Sequence, residues 1–175
     1  MKAVYIVNDP KVAAILIDPM RRAILELLRE KPMTQTQLAN ELGLTAASLS
    51  YHMKLLKSQK LVNIFKKKAE SHGIVQIFFS TSAYLYVYDL KALPRDMARY
   101  FYPIALERIR AVISVLLLHD KEYSIKKDAQ NITSLSNNLS DLIVAAAMSH
   151  RNRTVTFGNE NVIFDIYVKA LKNLV

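Results

Sequence analysis

The sequence predicts a mainly α-helical protein with one β-hairpin. Three observations support this fold class. Several helix starts are marked by a capping residue, two β-rich runs surround a polar loop that ends at Gly73, and apolar residues recur at helical spacing after Pro94. We expect an N-terminal domain over residues 1–92 and a helical region over residues 93–175.

The first two helices are announced by Asp-Pro pairs. Asp9-Pro10 and Asp18-Pro19 each place an N-cap carboxylate before a residue that has no N–H to satisfy. They predict helices over residues 10–17 and 19–30.

The next segment predicts two helices joined by a tight turn. Thr34 and Gln37 have the spacing of a capping box, which opens a helix over residues 35–42. Gly43 suits the turn that ends it, because glycine adopts positive φ at little cost. Thr45 then caps a helix over about 46–58, and the order helix, turn, helix is that of a helix-turn-helix.

A hairpin is predicted directly after these helices. The β-rich runs cover residues 61–65 and 74–79, with residues 66–73 as the loop between them. A hairpin in this position is a wing. A further strand is expected over residues 84–88, with Leu85 and Val87 pointing inward.

The C-terminal region predicts more helices. Residues 95–102 give one or two helical turns, and Pro103 is expected to start a new helix that reaches about residue 119. A polar linker over residues 120–133 and helices over about 134–148 and 160–174 follow. The helix from Pro103 is expected to form a dimer interface, or alternatively to pack within its own chain, through a heptad-like stripe: Ala105, Ile109, Val112, Ile113 and Leu116.

The charge distribution favours a polyanionic partner. The formal net charge is +9, and residues 1–80 hold twelve Lys or Arg against six acids. Between Glu41 and Glu70 no acid occurs, whereas there are six lysines. This asymmetry is typical of a surface that binds nucleic acid phosphates.

The predicted helix 46–58 has the features of a DNA-recognition helix. Leu49, Met53 and Leu56 should face the core, which leaves a polar, basic face free. Candidate contacts with base edges or thymine methyls are Ala46, Ala47, Ser48, Ser50, Tyr51 and His52. Candidate contacts with phosphates or grooves are Thr34, Gln35, Thr45, Lys54, Lys57, Lys66, Lys67, Lys68 and His72. For Ser50 the alternative is packing against the preceding helix, for His52 an ordinary half-buried position, and for the lysine triplet a solvated loop.

Five segments in order resemble the ArsR-type winged helix-turn-helix transcription regulators. They are the helix from Asp18 to Leu28, the capped helix from Thr34, Leu-Gly-Leu-Thr45, Ser50-x-His52-Met-Lys54-x-Leu56, and Leu61-Val62. The resemblance spans about residues 10–80 and implies a homodimeric repressor of duplex DNA. Its recognition helix would lie in the major groove and its wing near the minor groove.

The chain departs from that pattern at two places. Residues 38–42 lack the cysteine-containing motif of the metal-sensing members, so metal sensing through thiolates is not transferred. Ala46 and Tyr51 stand where many members have Gln and Arg, which weakens any transfer of base specificity.

Other functional classes find little support in the sequence. There is no cysteine, no metal-ligand spacing and no nucleophile elbow or phosphate loop, so we expect no enzyme, metal or cofactor. The longest apolar run, residues 111–118, is too short for a membrane span, and we expect a cytoplasmic protein. Two alternatives stay open, namely an architectural protein that coats DNA with little specificity and a winged helix that binds proteins. No residue of the sequence indicates the chemistry of a small-molecule effector.

Overall fold

The computed structural model describes residues 1–70, 74–119, 129–159 and 161–173. The helices of these ranges are α1 (Pro10–Leu16), α2 (Pro19–Glu30), α3 (Gln35–Leu42), α4 (Ala46–Ser58), α5 (Arg95–His119), α6 (Ala129–Met148) and α7 (Asn161–Lys172). The strands are β1 (Lys2–Val7), β2 (Val62–Ala69), β3 (Val75–Thr81) and β4 (Ala83–Tyr88). Helices together with a hairpin of β2 and β3 confirm the predicted fold class.

The capping residues start the N-terminal helices as the sequence predicts. Asp18 accepts from the backbone N–H groups of Met20 (2.8 Å) and Arg21 (3.3 Å). Thr34 and Gln37 form both bonds of the capping box, at 3.2 and 2.9 Å. Each cap satisfies backbone donors that have no partner inside the helix.

The wing is longer than predicted. Strands β2 and β3 pair antiparallel from Val62–Thr81 to Ala69–Val75, with an irregularity between Ile64 and Lys66. Residues 66–68, expected in the loop, therefore belong to strand β2. Cross-strand packing explains the difference, because the ammonium of Lys66 lies 4.9 Å from the ring centre of Phe78. This contact stabilises strand pairing beyond the apolar run.

A second, parallel pair of strands joins the ends of the N-terminal region. Strand β1, which we did not predict, pairs with β4 from Lys2–Ala83 to Val7–Tyr88. Residues of both faces of β4 are buried, including Tyr84 and Tyr88 as well as Leu85 and Val87. Leu85 and Val87 are buried as expected, and the two tyrosines are buried as well because helices cover both sides of a parallel pair.

Helix α5 runs through the proline that was expected to start it. It begins at Arg95 and includes Pro103 in its interior. Phe101 is fully buried, and its ring stacks on Tyr88 at 4.2 Å between centres. Ile104 packs against the same core. Apolar contacts on both sides of the proline therefore hold one continuous helix despite the missing N–H.

Two clusters of buried side chains form the interior. The first lies among α1–α4 and also takes in Leu93, Ala98 and Phe101 from the region after residue 92. The second joins β1 and β4 to α6 and α7, through residues such as Val4, Leu85 and Leu139. The division at residue 92 stays a prediction.

Helices α6 and α7 complete this second cluster. Helix α6 starts at Ala129, earlier than predicted, within the segment expected to be a linker. The rest of that segment, residues 120–128, lies outside the described residues. Within the described ranges no helix is both long enough and apolar enough to cross a membrane.

Candidate nucleic-acid interface

Helix α4 is fixed on its inner side by three apolar residues. Leu49, Met53 and Leu56 are buried in the first cluster, as their spacing predicted. Gly43 adopts φ +63 in the turn before the helix, and the N–H of Leu44 donates to Ala39 at 2.9 Å. The turn thus sets the angle at which α4 leaves the preceding helix.

The outer side of α4 is accessible along its whole length. The side chain at position 51 is the most prominent apolar group there, because Tyr51 is 60% exposed. Ser48 is half-buried. The exposed candidates of this segment are Thr45, Ala46, Ala47, Ser50, Tyr51, Lys54 and Lys57. The helix therefore presents small side chains at its N-terminal end and lysines towards its C-terminal end.

His52 lies on the inner flank of α4 and not on its free face. Its side chain is 14% exposed, and Nδ1 lies 3.9 Å from Oδ2 of Asp18 without a hydrogen-bond partner. The expected free-face position was wrong. His52 follows Leu49 by three residues and precedes Leu56 by four, which places all three on one stripe of the helix.

Helices α3 and α4 are linked at the candidate surface. The hydroxyl of Ser50 donates to Oε1 of Gln35 at 3.4 Å while Ser50 stays exposed. Ser50 therefore contacts the preceding helix and is also accessible. Thr34 and Gln35 are half-buried at the start of α3, next to backbone N–H groups of its first turn.

The lysines of the wing have different surroundings. Lys68 is paired with Glu70 at 3.3 Å, and Lys66 lies over the ring of Phe78. Lys67 is exposed, and no carboxylate of the described residues pairs with it. His72 lies outside the described residues.

The base of the wing is anchored in the core. The hydroxyl of Tyr86 forms hydrogen bonds with the hydroxyls of Thr81 (2.9 Å) and Ser82 (3.0 Å), and it also lies 3.3 Å from the carbonyl of Leu61. Burial raises the pKa of Tyr86. Met33 pairs with Phe79 through two backbone bonds of 3.1 and 2.8 Å, so the start of α3 and strand β3 are held side by side.

An open cleft lies between α3, the end of α4 and the wing, and we call it the wing cleft. Its volume is about 610 Å³. One wall consists of the first turn of α3, residues 34–37, and the other of residues 74–77 and Phe79. Lys57 closes one side, with its ammonium 5.2 Å from the ring centre of Phe79. Thr34, Gln35 and Lys57, three of the predicted site residues, thus line one cleft.

Exposed apolar side chains of the wing were not among the predicted site residues. Ile64, Phe65, Ile74 and Val75 are all at least half exposed. The ring of Phe65 contacts that of Phe157 edge to face at 5.4 Å. The available signal was the position of these residues on both sides of the lysine triplet, within runs assigned only to strand packing.

Ala105 is the one residue of the predicted dimer stripe whose surroundings the structure describes. It lines a small cavity of about 30 Å³ together with Ser140 and Ile143 of α6 and Tyr167 of α7. This end of the stripe therefore faces the chain's own helices, which agrees with the intramolecular alternative. Ile109, Val112, Ile113 and Leu116 belong to α5, but their side chains lie outside what the structure describes.

Helices α3 and α4, the turn between them and the hairpin after them together form a winged helix-turn-helix. Residues 16–64 match a family model described as a helix-turn-helix domain. The chain therefore carries a helix-turn-helix over this segment, which lies within the residues on which the resemblance to ArsR-type regulators rests. Among curated protein sequences, none shows significant similarity to the chain.

A structure search also matches parts of this chain to two solved structures. One is the solution structure of the homodimeric winged helix-turn-helix DNA-binding domain of Mb0332 from Mycobacterium bovis, described as a possible ArsR-family transcriptional regulator. It is 23% identical, with 58% of this chain and 75% of that chain covered and a TM-score of 0.35. The other is a double mutant of ZitR from Lactococcus lactis in its apo form, 19% identical, with 75% of this chain and 85% of that one covered and a TM-score of 0.33.

Proposed function

We propose that this protein is a sequence-specific transcription regulator, acting as a repressor, that binds duplex DNA as a homodimer in the cytoplasm. The observation that carries the proposal is the wing cleft, where the start of α3, Lys57 of α4 and strand β3 lie together on one surface. A recognition helix beside a basic hairpin is the arrangement that grips a duplex across adjacent grooves.

Electrostatics supports this assignment. Residues 42–69 contain six lysines and no acid, and they include all of α4 and β2. The first turns of α3 and α4 add backbone N–H groups, which attract phosphate at a helix N-terminus. A duplex lying along this surface would meet positive charge from α4 and from the wing simultaneously.

The outer face of α4 would enter the major groove. Ala46 and Ala47 are exposed at its leading end, where small side chains allow contact with thymine methyl groups. Ser48, Ser50 and Tyr51 supply hydroxyls for base edges or phosphates. Because His52 faces Asp18, it would position the helix and would not read bases.

Base selectivity is expected to be modest at each position. The leading turns of α4 have no Arg, Asn or Gln, whose bidentate contacts discriminate bases by about 1–3 kcal/mol each. The protein would then recognise the shape of A·T-rich DNA as much as individual bases. A selection experiment that returned a sharp G·C-rich site would contradict this part of the proposal.

The salt dependence of DNA binding tests the phosphate contacts directly. We expect Lys54→Gln and Lys67→Gln each to weaken binding and to reduce the slope of log K against log salt by about 1, because one neutralised phosphate contributes about 0.9. Lys169→Gln on α7 is the matched control, since it removes one exposed lysine far along the chain. Fluorescence anisotropy with labelled duplexes at several salt concentrations measures the slopes. Equal slopes for all three variants and the unaltered protein would contradict the proposal.

A competitor titration distinguishes a sequence-specific regulator from the two alternatives, an architectural protein and a winged helix that binds proteins. Random duplex displaces little of a specific regulator from a labelled operator, whereas an architectural protein exchanges freely between the two duplexes. A protein-binding winged helix would show weak affinity for any duplex and little salt sensitivity.

Dimerisation through α5 is part of the proposal and is tested on the full-length chain. Sedimentation equilibrium is expected to show a dimer, and Leu116→Glu is expected to dissociate it. Glu107→Gln, at an exposed position of the same helix, is the control. If the unaltered protein is a monomer, the whole stripe packs within its own chain and the proposed dimerisation is wrong.

A further inference from the structure

A second cleft lies away from the winged surface, between α2, β4 and α5, and we call it the arginine cleft. Its volume is about 310 Å³, at the lower end of the range of about 300–1,000 Å³ for small-molecule sites. Leu16, Leu25 and Ile104 provide apolar wall. The polar and aromatic side chains that line it include Arg22, Glu26, Arg29, Tyr84, Tyr88 and Arg108.

The side chains that line the arginine cleft carry more positive than negative charge. Three guanidinium groups line it against one carboxylate, and Glu26 forms no ion pair with any of them. Arg29 is paired with Glu30 at 2.9 Å, outside the lining. Two guanidiniums, those of Arg22 and Arg108, therefore face the cleft without a carboxylate partner among the described residues.

Backbone carbonyls hold these two guanidiniums in place. One nitrogen of Arg22 donates to the carbonyls of Leu16 and Ile17, each at 2.7 Å. One nitrogen of Arg108 donates to the carbonyl of Tyr86 at 3.3 Å. A guanidinium has five N–H donors, so each keeps donors for a ligand while its position is already fixed.

Tyr88 adds a neutral hydroxyl to the lining of the cleft. Burial raises the pKa of Tyr88 to about 12, and the charges of Arg108 and Arg22 oppose the shift while that of Glu26 adds to it. The three charged groups therefore act on the same hydroxyl, which stays protonated at neutral pH.

We propose that the arginine cleft binds a small organic anion, namely a carboxylate attached to an aromatic or apolar ring. The carboxylate would accept hydrogen bonds from Arg22 and Arg108, which are the donors that recognise this group best. The ring would lie against Leu16, Leu25 and Ile104. This site is separate from the residues proposed to contact DNA.

Binding of benzoate to the full-length protein tests the charge requirement. We expect isothermal titration at constant ionic strength to give an affinity for benzoate about tenfold or more above that for benzamide, which has the same ring and no charge. Benzylammonium, with the opposite charge, is expected to bind more weakly still. If benzoate binds no better than benzamide, the proposal is wrong, whatever the variants do.

Substitution locates the site. Arg108→Gln is expected to weaken benzoate binding about tenfold or more, because it removes one of the two unpaired guanidiniums. Arg99→Gln, on an exposed position of the same helix, is the matched control and should bind like the unaltered protein. Lys67→Gln should also leave benzoate binding unchanged, which separates this site from the proposed DNA surface. Unaltered affinity in Arg108→Gln, with the fold verified by circular dichroism, would overturn the proposal.

Discussion

Replacing Asp18 by alanine probes the contacts that join the start of α2 to α4. Asp18 caps α2 through the N–H groups of Met20 and Arg21 and lies 3.5 Å from the guanidinium of Arg21. Its carboxylate also lies 3.9 Å from the buried Nδ1 of His52 on α4. One side chain thus joins the start of α2 to the inner flank of α4.

The expected loss of stability follows from these contacts. Removal of an N-cap side chain costs about 1 kcal/mol, within a range of about 0.5–2 kcal/mol. The pair with Arg21 is partly exposed, so it adds no more than about 0.5 kcal/mol. We therefore expect Asp18→Ala to lower the free energy of unfolding by about 1.5 kcal/mol.

The chain offers a matched control in Asp9, which caps α1. Asp9 is exposed and accepts one backbone bond, from Lys11 at 2.9 Å, so Asp9→Ala should cost about 0.5–1 kcal/mol. Asp18→Ser keeps a capping oxygen without the charge and should recover most of the loss. Urea unfolding followed by circular dichroism measures all three. The reasoning is refuted if Asp18→Ala costs no more than Asp9→Ala, or if the serine variant is as unstable as the alanine variant.

Three further substitutions test the turn, the core and the alkaline limit of stability. Gly43→Ala places a Cβ at φ +63 where no atom lies within 4 Å, so the substitution adds backbone strain without a clash. We expect the free energy of unfolding, measured in urea, to fall by about 1 kcal/mol. A change near zero would contradict the left-handed turn. Leu56→Ala removes a fully buried side chain under α4 and should cost about 2–5 kcal/mol by the same measurement, whereas Leu55→Ala, at a half-buried neighbour, should cost less. The pKa of Tyr88 rises from 10.0 to about 12 on folding, so between these values the folded state keeps a proton that the unfolded chain loses. The contribution of the Tyr88 hydroxyl to the free energy of unfolding is therefore complete below pH 10 and is lost as the pH rises towards 12. Tyr88→Phe should therefore lose less stability than the unaltered protein between pH 9.5 and 11.5, and parallel losses would show that the hydroxyl of Tyr88 is not responsible.

Local signals explain why the N-terminal helices could be predicted closely. The caps at Asp9, Asp18, Thr34 and Thr45 act within three residues of themselves, and the structure shows each of them bonded to its own first turn. Such bonds depend on the adjacent sequence alone, so their pattern is visible without the fold.

Long-range contacts account for the elements that the sequence did not reveal. Strand β1 is six residues long, and its partner β4 lies some eighty residues further along the chain. Nothing next to β1 specifies a parallel partner at that distance. Similarly, Pro103 is a valid helix start by local rules, but Phe101 and Ile104 pack on one core and keep the helix continuous.

His52 shows that the same local pattern can be interpreted in two ways. Its distance from the capping residue Thr45 suggested the leading face of a recognition helix, whereas its spacing from Leu49 and Leu56 places it on the buried flank. The structure follows the second pattern, because burying Leu49 and Leu56 fixes the rotation of the helix and takes His52 with them. If α4 reads DNA through its outer face, His52→Ala should change stability more than sequence preference, while Tyr51→Ala should do the opposite. Unfolding and binding-site selection on both variants decide between these patterns, and a changed preference in His52→Ala at unchanged stability would return His52 to the DNA-facing side.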